Sequence, residues 1–353
     1  MRKIVIFLLI VAIFFCNSFA YAAIKPVNNK PVWKAQIFIT NQVKGIGLVD
    51  SYQEDNNDYS YTYDNALAAI ASMVSGNFGV AKEILDTLCF EVQNSPEGVP
   101  FGRYFYNDVN GSGNIDAYCG NIAWLLQALD IYQKQTGDKA YFAVQKKLAD
   151  FLLTLQDTDG GLRGKTGVLW KSAEGNIIAY AAIRNFGSLN GLSIYTAKAE
   201  NIKTFLKSQV VWNGTYFNQG PNDNTRIIDV QALGVLLLGN SYAGALNWAE
   251  KYLKCTKPFG VSSVTGFDFD DNLDTVWLEG TLQAALAFYA SKNTTKGNYY
   301  FGQSDRTIQS DGSLLWVTNN GTVGGEIVLP WRAVAPTCWY IFYSYKFNPL
   351  ILY

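Results

Sequence analysis

Six short segments of one kind recur along the chain, and they constrain its fold more than any other feature. They read Tyr63-Asp64-Asn65-Ala66-Leu67-Ala68, Gly120-Asn121-Ile122-Ala123-Trp124-Leu125, Glu174-Gly175-Asn176-Ile177-Ile178-Ala179, Ile228-Asp229-Val230-Gln231-Ala232-Leu233, Trp277-Leu278-Glu279-Gly280-Thr281-Leu282 and Pro336-Thr337-Cys338-Trp339-Tyr340. Each opens on small or polar residues and runs into apolar ones at helical spacing. With Asn65, Asn121, Asn176, Val230, Glu279 and Cys338 as anchors, the intervals are 56, 55, 54, 49 and 59 residues. A period of that length holds two helices and a loop, so it predicts a ring of helical hairpins. The expected fold is all-α, an (α/α)6 barrel with long loops on one face.

The turn residues divide the chain accordingly. Helix pairs are expected at about 63–74 with 79–92, 116–136 with 139–156, 174–185 with 193–208, and 226–238 with 242–253. A fifth pair is expected at 273–291 with a weakly helical 299–308. A last inner helix, 332–346, has no complete partner after it. Gly and Asn mark the short turns as helix stops. Residues 23–50 read as extended, with Pro26, Pro31 and a β-rich run at Ile37 to Thr40, and are expected to cover the missing partner. The long connections, 94–115, 157–173, 210–225, 256–272 and 309–331, all lead from an outer to an inner helix. In an antiparallel ring they share the face where inner helices begin, and long loops on a rigid scaffold are where sites are built. The inner N-termini add free N–H groups and positive partial charge there.

Residues 1–22 read as a secretory signal: Arg2 and Lys3, an apolar stretch from Ile4 to Phe15, and the small-residue site Ala20-Tyr21-Ala22. The expected organisation is that signal followed by a single barrel domain over 23–353, secreted or periplasmic, meeting a membrane only during export. Cys16 lacks the flanking residues of a lipid-anchor signal. Removing the signal leaves 26 basic against 29 acidic residues, a net charge of −3 without a basic patch, so nucleic acid is not an expected partner. The four cysteines that remain, Cys89, Cys119, Cys255 and Cys338, match no zinc spacing and are open to disulfides or to buried thiols. There is no histidine. That excludes Ser-His-Asp and Cys-His chemistry and His-ligated metals, and leaves acid–base work to carboxylates, Tyr, Lys or Cys. No cofactor and no metal site are expected.

The acids near the inner N-termini are the candidates for chemistry. Asp116 and Asp274 precede their apolar pattern and read as helix caps. Glu174 reads equally as a first-turn acid or a functional one. Asp64, Asp229 and Glu279 lie among inner-helix apolar residues and must face the cavity or be paired. Gly280 and Thr281 keep space beside Glu279, and burial against Trp277 would raise its pKa, which suits a general acid. Glu279 and Asp64 are the expected catalytic pair, with Asp229 and Glu174 in reserve. Aromatic and amide groups suit a polyhydroxylated ligand, and Tyr61, Tyr63, Asn65, Asn121, Trp170, Asn176, Gln231, Trp277, Trp316, Trp331 and Arg332 are the expected binding residues. The segments Gln156 to Leu162 and Ser310 to Trp316 fit turns before inner helices. Asp268-Phe269-Asp270-Asp271 resembles the acidic motif of class II terpene cyclases, but one secreted barrel with a polar cavity argues against that chemistry. The same acids lack the ligand spacing and glycine of an EF-hand.

The repeats, read together with Tyr61-Thr62-Tyr63-Asp64-Asn65-Ala66 and the closing Cys338-Trp339-Tyr340 to Asn348-Pro349, resemble the six-hairpin glycosidase superfamily over residues 52–349. The segments look like secreted bacterial proteins described as glucoamylase-like. The resemblance implies an (α/α)6 toroid and a carbohydrate, polysaccharide or oligosaccharide, as partner. It transfers no established catalytic pair. The expectation is a secreted glycoside hydrolase acting on a glucan or related polysaccharide through carboxylates, with inversion as the usual outcome. Two alternatives stand beside it. A glycan-binding protein would have its acids tied up in Arg or Lys pairs. A polysaccharide lyase would have a positive cavity around Arg103, Arg163, Arg226 and Arg332.

Overall fold

The computed structural model describes residues 32–56, 58–94, 105–106 (backbone alone) and 116–352. The signal segment, Arg103 and most of the 94–115 connection lie outside them. In chain order the helices are α1 (Val32–Gln42), α2 (Thr62–Val74), α3 (Phe78–Gln93), α4 (Cys119–Thr136), α5 (Phe142–Thr154), α6 (Ala173–Asn190), α7 (Ser193–Lys207), α8 (Ile228–Leu238), α9 (Gly244–Tyr252), α10 (Leu278–Ala290), α11 (Thr294–Ser304) and α12 (Val334–Tyr345). Each even-numbered helix packs on the next, and α12 returns to α2, which closes the ring. The odd-numbered helices pack outside it. The fold is the expected (α/α)6 barrel.

The two rings differ because their burial differs. Inner helices such as α2 and α12 are buried on nearly every face. Outer helices bury one stripe, as in α3, where Ala81, Ile84, Leu85, Leu88, Cys89 and Val92 recur at helical spacing.

Several elements depart from expectation. The 23–50 segment is helical from Val32, not extended. Its β-branched residues pointed to a strand, yet Val32, Ala35, Phe38, Ile39 and Gln42 form one buried helical stripe. That stripe packs on α12 as its outer partner, and Gln36 donates to the Tyr345 hydroxyl at 2.9 Å. The segment thus does fill the sixth place. Helix α11 starts earlier than expected, at an Asn293 cap whose side chain accepts from the Lys296 N–H. The 256–272 connection is largely a β-hairpin, Lys254–Phe259 paired with Ser262–Phe267. Helices α4 and α10 begin later than expected, so Asp116 and Asp274 are not caps. Asp116 pairs with Lys165, and Asp274 accepts from the Thr322 N–H and hydroxyl. All four described cysteines are free thiols.

A polar staple explains the small and polar opening of each repeat. The fourth residue of five inner helices, Asn65, Asn176, Gln231, Thr281 and Thr337, accepts a backbone N–H from the loop before its own helix. The donors are Val49, Leu162, Phe217, Phe267 and Leu314. The same side chains donate to the carbonyl four residues back. A second set of bonds joins successive repeats. The first N–H of α4, α6, α8, α10 and α12 donates to Gly164, Gln219, Phe269, Trp316 and Ser51 respectively, each in the next repeat's loop. These bonds satisfy helix N-terminal donors that would otherwise be orphaned. They also seat the 157–173, 210–225, 256–272 and 309–331 connections on the inner ring. Replacing Asn176 by alanine strands the buried Leu162 N–H and carbonyl, and is expected to destabilise the fold by about 2 kcal/mol. Denaturant unfolding reads this directly, and an unchanged midpoint would show the staple to be idle.

The C-terminal segment closes the other end. Gln127 and Asn185 donate to the carbonyls of Pro349 and Leu350, Asn348 donates to that of Leu236, and Leu350 is fully buried. The barrel is therefore open where the inner helices begin.

Candidate active site

The second residue of each inner helix faces the axis at the open end. Around the ring these residues are Tyr63, Gly120, Glu174, Asp229, Glu279 and Ala335. Three consecutive helices, α6, α8 and α10, contribute acids. Helices α4 and α12 contribute almost no side chain. At this level the ring is thus acidic on α6, α8 and α10 and carries only glycine and alanine on α4 and α12. The staple residues, with Ile122 in α4, mark the true repeat, at intervals of 57, 54, 55, 50 and 56. The anchors chosen from sequence slipped by up to two residues, so Glu279 aligns with Tyr63 rather than with Asn65.

Glu279 is 6% exposed. The Tyr63 hydroxyl donates to its Oε1 at 2.5 Å, and the Gln283 amide donates to the same oxygen at 3.1 Å. The Trp339 indole N–H donates to the Tyr63 oxygen at 3.2 Å and fixes that ring. Burial drives the Glu279 pKa well above the carboxylate range, and the charges of Asp64, Asp229 and Glu174 push it further. With two donors on Oε1, a proton retained by this carboxyl resides on Oε2.

Glu174 and Asp229 keep partial exposure although protein surrounds them, as befits carboxyls at the base of a funnel. Burial raises both, and the charge of Glu174 pushes Asp229 further, to about 8. The Asp229 carboxylate accepts from the Val230 N–H at 2.6 Å. The Trp124 indole N–H lies near Glu174 and favours its ionised form without closing a hydrogen bond. Among the described residues, none of Glu174, Asp229 and Glu279 forms a salt bridge.

Asp64 sits differently. It is third in its helix, 4% exposed, and takes a hydrogen bond from the Ser51 side chain. Burial, with Asp50 nearby, pushes its pKa up to about 7. The amides of Asn65, Asn176 and Gln231 are engaged in the staples, so their polar atoms serve loop backbone rather than an incoming ligand. Trp277 is buried against Phe269, with ring centroids 5.2 Å apart. Asn121 is third in α4 and partly exposed. Tyr61, Trp316 and Trp331 gather around Tyr52, with centroids 6.0, 4.6 and 6.0 Å from it. Trp170 lies elsewhere, with Tyr118. Arg163, Arg226 and Arg332 pair with Asp157, Asp271 and the two acids Glu54 and Asp311. The acids of the 268–271 motif are engaged too: Asp268 accepts from the Phe269 and Thr275 N–H groups, and Asp271 holds Arg226.

Sequence reasoning missed Gly120, Ala335, Gln283, Trp124, Trp339 and Tyr52. The first two were findable by aligning the second helical residue across repeats; Tyr52 belongs to no repeat. A Cβ at Gly120 would meet Gly175 Cα of α6 at 3.7 Å, and one at Gly175 would meet the Gly120 nitrogen at 3.5 Å, so the two glycines let α4 and α6 approach closely. Gly120→Leu would press a branched side chain on α6 and is expected to destabilise the fold by about 1–3 kcal/mol. Denaturant unfolding reads this, and an unchanged midpoint would show that the contact has room for it.

No protein-family model and no curated protein matches the chain. Solved structures do. A glycosidase, determined as a glutamate-to-alanine variant in complex with glucose, superposes with TM-score 0.67 at 11% identity, over 89% of this chain and 95% of that one. An α-amylase from Clostridium perfringens gives 0.64 at 11%, over 91% and 99%. A D-mannose isomerase gives 0.67 at 12%, over 89% and 95%. At such identities the likeness establishes the shared helical toroid.

Proposed function

We propose that the protein is a glycoside hydrolase of the glucoamylase-like kind, cleaving a neutral glucan or related polysaccharide. The observation that carries this reading is the buried Glu279, held by Tyr63 and Gln283 at the level of Asp229 and Glu174, with no salt bridge to any of the three acids among the described residues. In the reaction, Glu279 Oε2–H protonates the glycosidic oxygen as the C–O bond to the anomeric carbon breaks. A water attacks that carbon, and its proton passes to the ionised member of the Glu174–Asp229 pair. One water is consumed, and a reducing sugar and an alcohol are formed. Inversion, the usual outcome on this fold, needs about 6.5–9.5 Å between acid and base, room enough for the water. Asp64, turned toward Ser51, tunes Glu279 through its charge.

The arrangement favours hydrolysis over the alternatives. A binding protein would have its acids neutralised by Lys or Arg. A lyase for uronic acids needs free cations at the mouth, whereas Arg163, Arg226 and Arg332 are each paired. The N-terminal segment supports a secreted or periplasmic location, which N-terminal sequencing of the exported protein tests.

The primary experiment is incubation of the mature protein with a panel of polysaccharides, reading new reducing ends and the ultraviolet absorbance of unsaturated sugars together. New ends without absorbance support hydrolysis. Absorbance supports elimination instead, and silence from a folded protein across the panel overturns the reading.

A further inference from the structure

Trp170 is 51% exposed, yet it is held rigidly. Its ring lies against Gly164 so closely that a Cβ there would sit 1.9 Å from the indole. The Gly164 N–H donates to the Trp170 carbonyl at 2.9 Å, closing the 164–170 loop at its neck. The Gly164 carbonyl in turn accepts the Cys119 N–H at 2.8 Å, which docks that loop on the first residue of α4. Tyr118, the residue before, stands beside Trp170 with centroids 6.3 Å apart and planes inclined by 31°. The Lys165 ammonium lies 4.9 Å from the Tyr118 ring centroid. Gly120, at the level of the acid ring, is two residues further along.

We propose that the Trp170 face, with Tyr118, is a saccharide platform that binds a second sugar ring of the substrate, outside the ring whose bond is cleaved. The inference rests on the hydrolase reading and deepens it: the substrate is an oligosaccharide or longer, and its second ring leaves the acid ring over α4. The physics is that of a flat apolar sugar face on an indole. One side of the indole is backed by Gly164, so the platform needs no ordering when the ligand arrives, which removes an entropic cost of binding. A device for a single sugar would have no use for such a platform.

The test compares chain lengths. Wild type, Trp170→Ala, Trp170→Phe and Gly164→Ala are assayed on 4-nitrophenyl monoglycosides of glucose, mannose and xylose, and on the corresponding oligosaccharides of two to six rings. Gly164→Ala keeps the indole but forces it off its seat. Trp170→Ala and Gly164→Ala are expected to lower kcat/KM on oligosaccharides at least about tenfold, the loss of one ring contact, and to leave the aryl monoglycosides within about twofold. Trp170→Phe recovers most of the loss. Equal losses on both substrate types, or none on either, overturn the platform. In parallel, the Trp170 indole N–H signal, identified by its disappearance in Trp170→Phe, is followed by NMR during titration with the same oligosaccharides. A shift without turnover by wild type keeps the platform and overturns hydrolysis. The absence of any shift across the panel overturns the platform itself.

Discussion

Replacing Glu279 by glutamine lowers kcat on the cleaved polysaccharide by about 10²–10⁴-fold, the range for removing a general acid. The amide keeps an oxygen for the Tyr63 and Gln283 donors and loses only the transferable proton. The fold should not suffer. Glutamine removes a carboxyl whose ionisation is disfavoured by burial and by three neighbouring acids, so the melting temperature at neutral pH is expected to hold or rise. The partner experiment is Asp64→Asn, expected to change kcat far less because its carboxyl turns to Ser51. In wild type, the raised pKa keeps Glu279 protonated above the ordinary carboxylate range, and activity is expected to fall on the alkaline side as it ionises. A Glu279→Gln enzyme retaining wild-type turnover, with Asp64→Asn dead, would exchange the two assignments.

The second large effect is on stability. Burial raises the pKa of Asp64 to about 7 and of Asp268 to about 6, and drives Asp130 and Glu279 well above their ordinary values. Asp130 lies between α4 and α5 with one hydrogen bond, from Gln145 at 2.9 Å, and its second oxygen has no partner. The folded chain therefore retains protons that the unfolded chain releases above about pH 4. The stability these groups contribute is fully present below that unfolded value and is lost as pH rises through the folded ones, at about 1.4 kcal/mol per pH unit for each group in its own interval. Buried Lys346, lowered to about 8, acts in the opposite direction only above that pH. The melting temperature is expected to be higher at pH 5 than at pH 8 by about 5 °C or more. Asp130→Asn, which retains an acceptor for Gln145, flattens part of the slope. Thermal melts across that range decide the matter: a flat profile, or one rising with pH, contradicts the raised carboxyls.

Much of the architecture was legible because a barrel of hairpins repeats its hydrophobic pattern every turn of the ring. The period, the inner and outer helices and the face that bears the long loops all follow from local patterning, and patterning placed Asp229 and Glu279 on inner helices; Asp64, paired with Glu279 from sequence, is third in its helix and takes its hydrogen bond from Ser51 instead. What failed was local pattern read without its partners. Residues 32–42 look β-prone until α12 gives their apolar stripe a surface. Asn65, Asn176 and Gln231 look like ligand donors until the loops that they hold are in place.

By itself the sequence determined the ring, because apolar spacing can be satisfied only by burying inner helices on all sides, and it excluded histidine-based chemistry, because there is no histidine. Tertiary structure decided the rest. Acids on α6, α8 and α10 meet Tyr63 of α2 at one level only because the staples and the bonds between repeats hold each inner helix at one height. Glu279 and Tyr63 are 216 residues apart in the chain, and no local pattern encodes a 2.5 Å hydrogen bond across that distance. That Gly120 and Ala335 stand at the level of the acids is likewise a property of the closed ring, since the chain alone does not set the height of one inner helix against another.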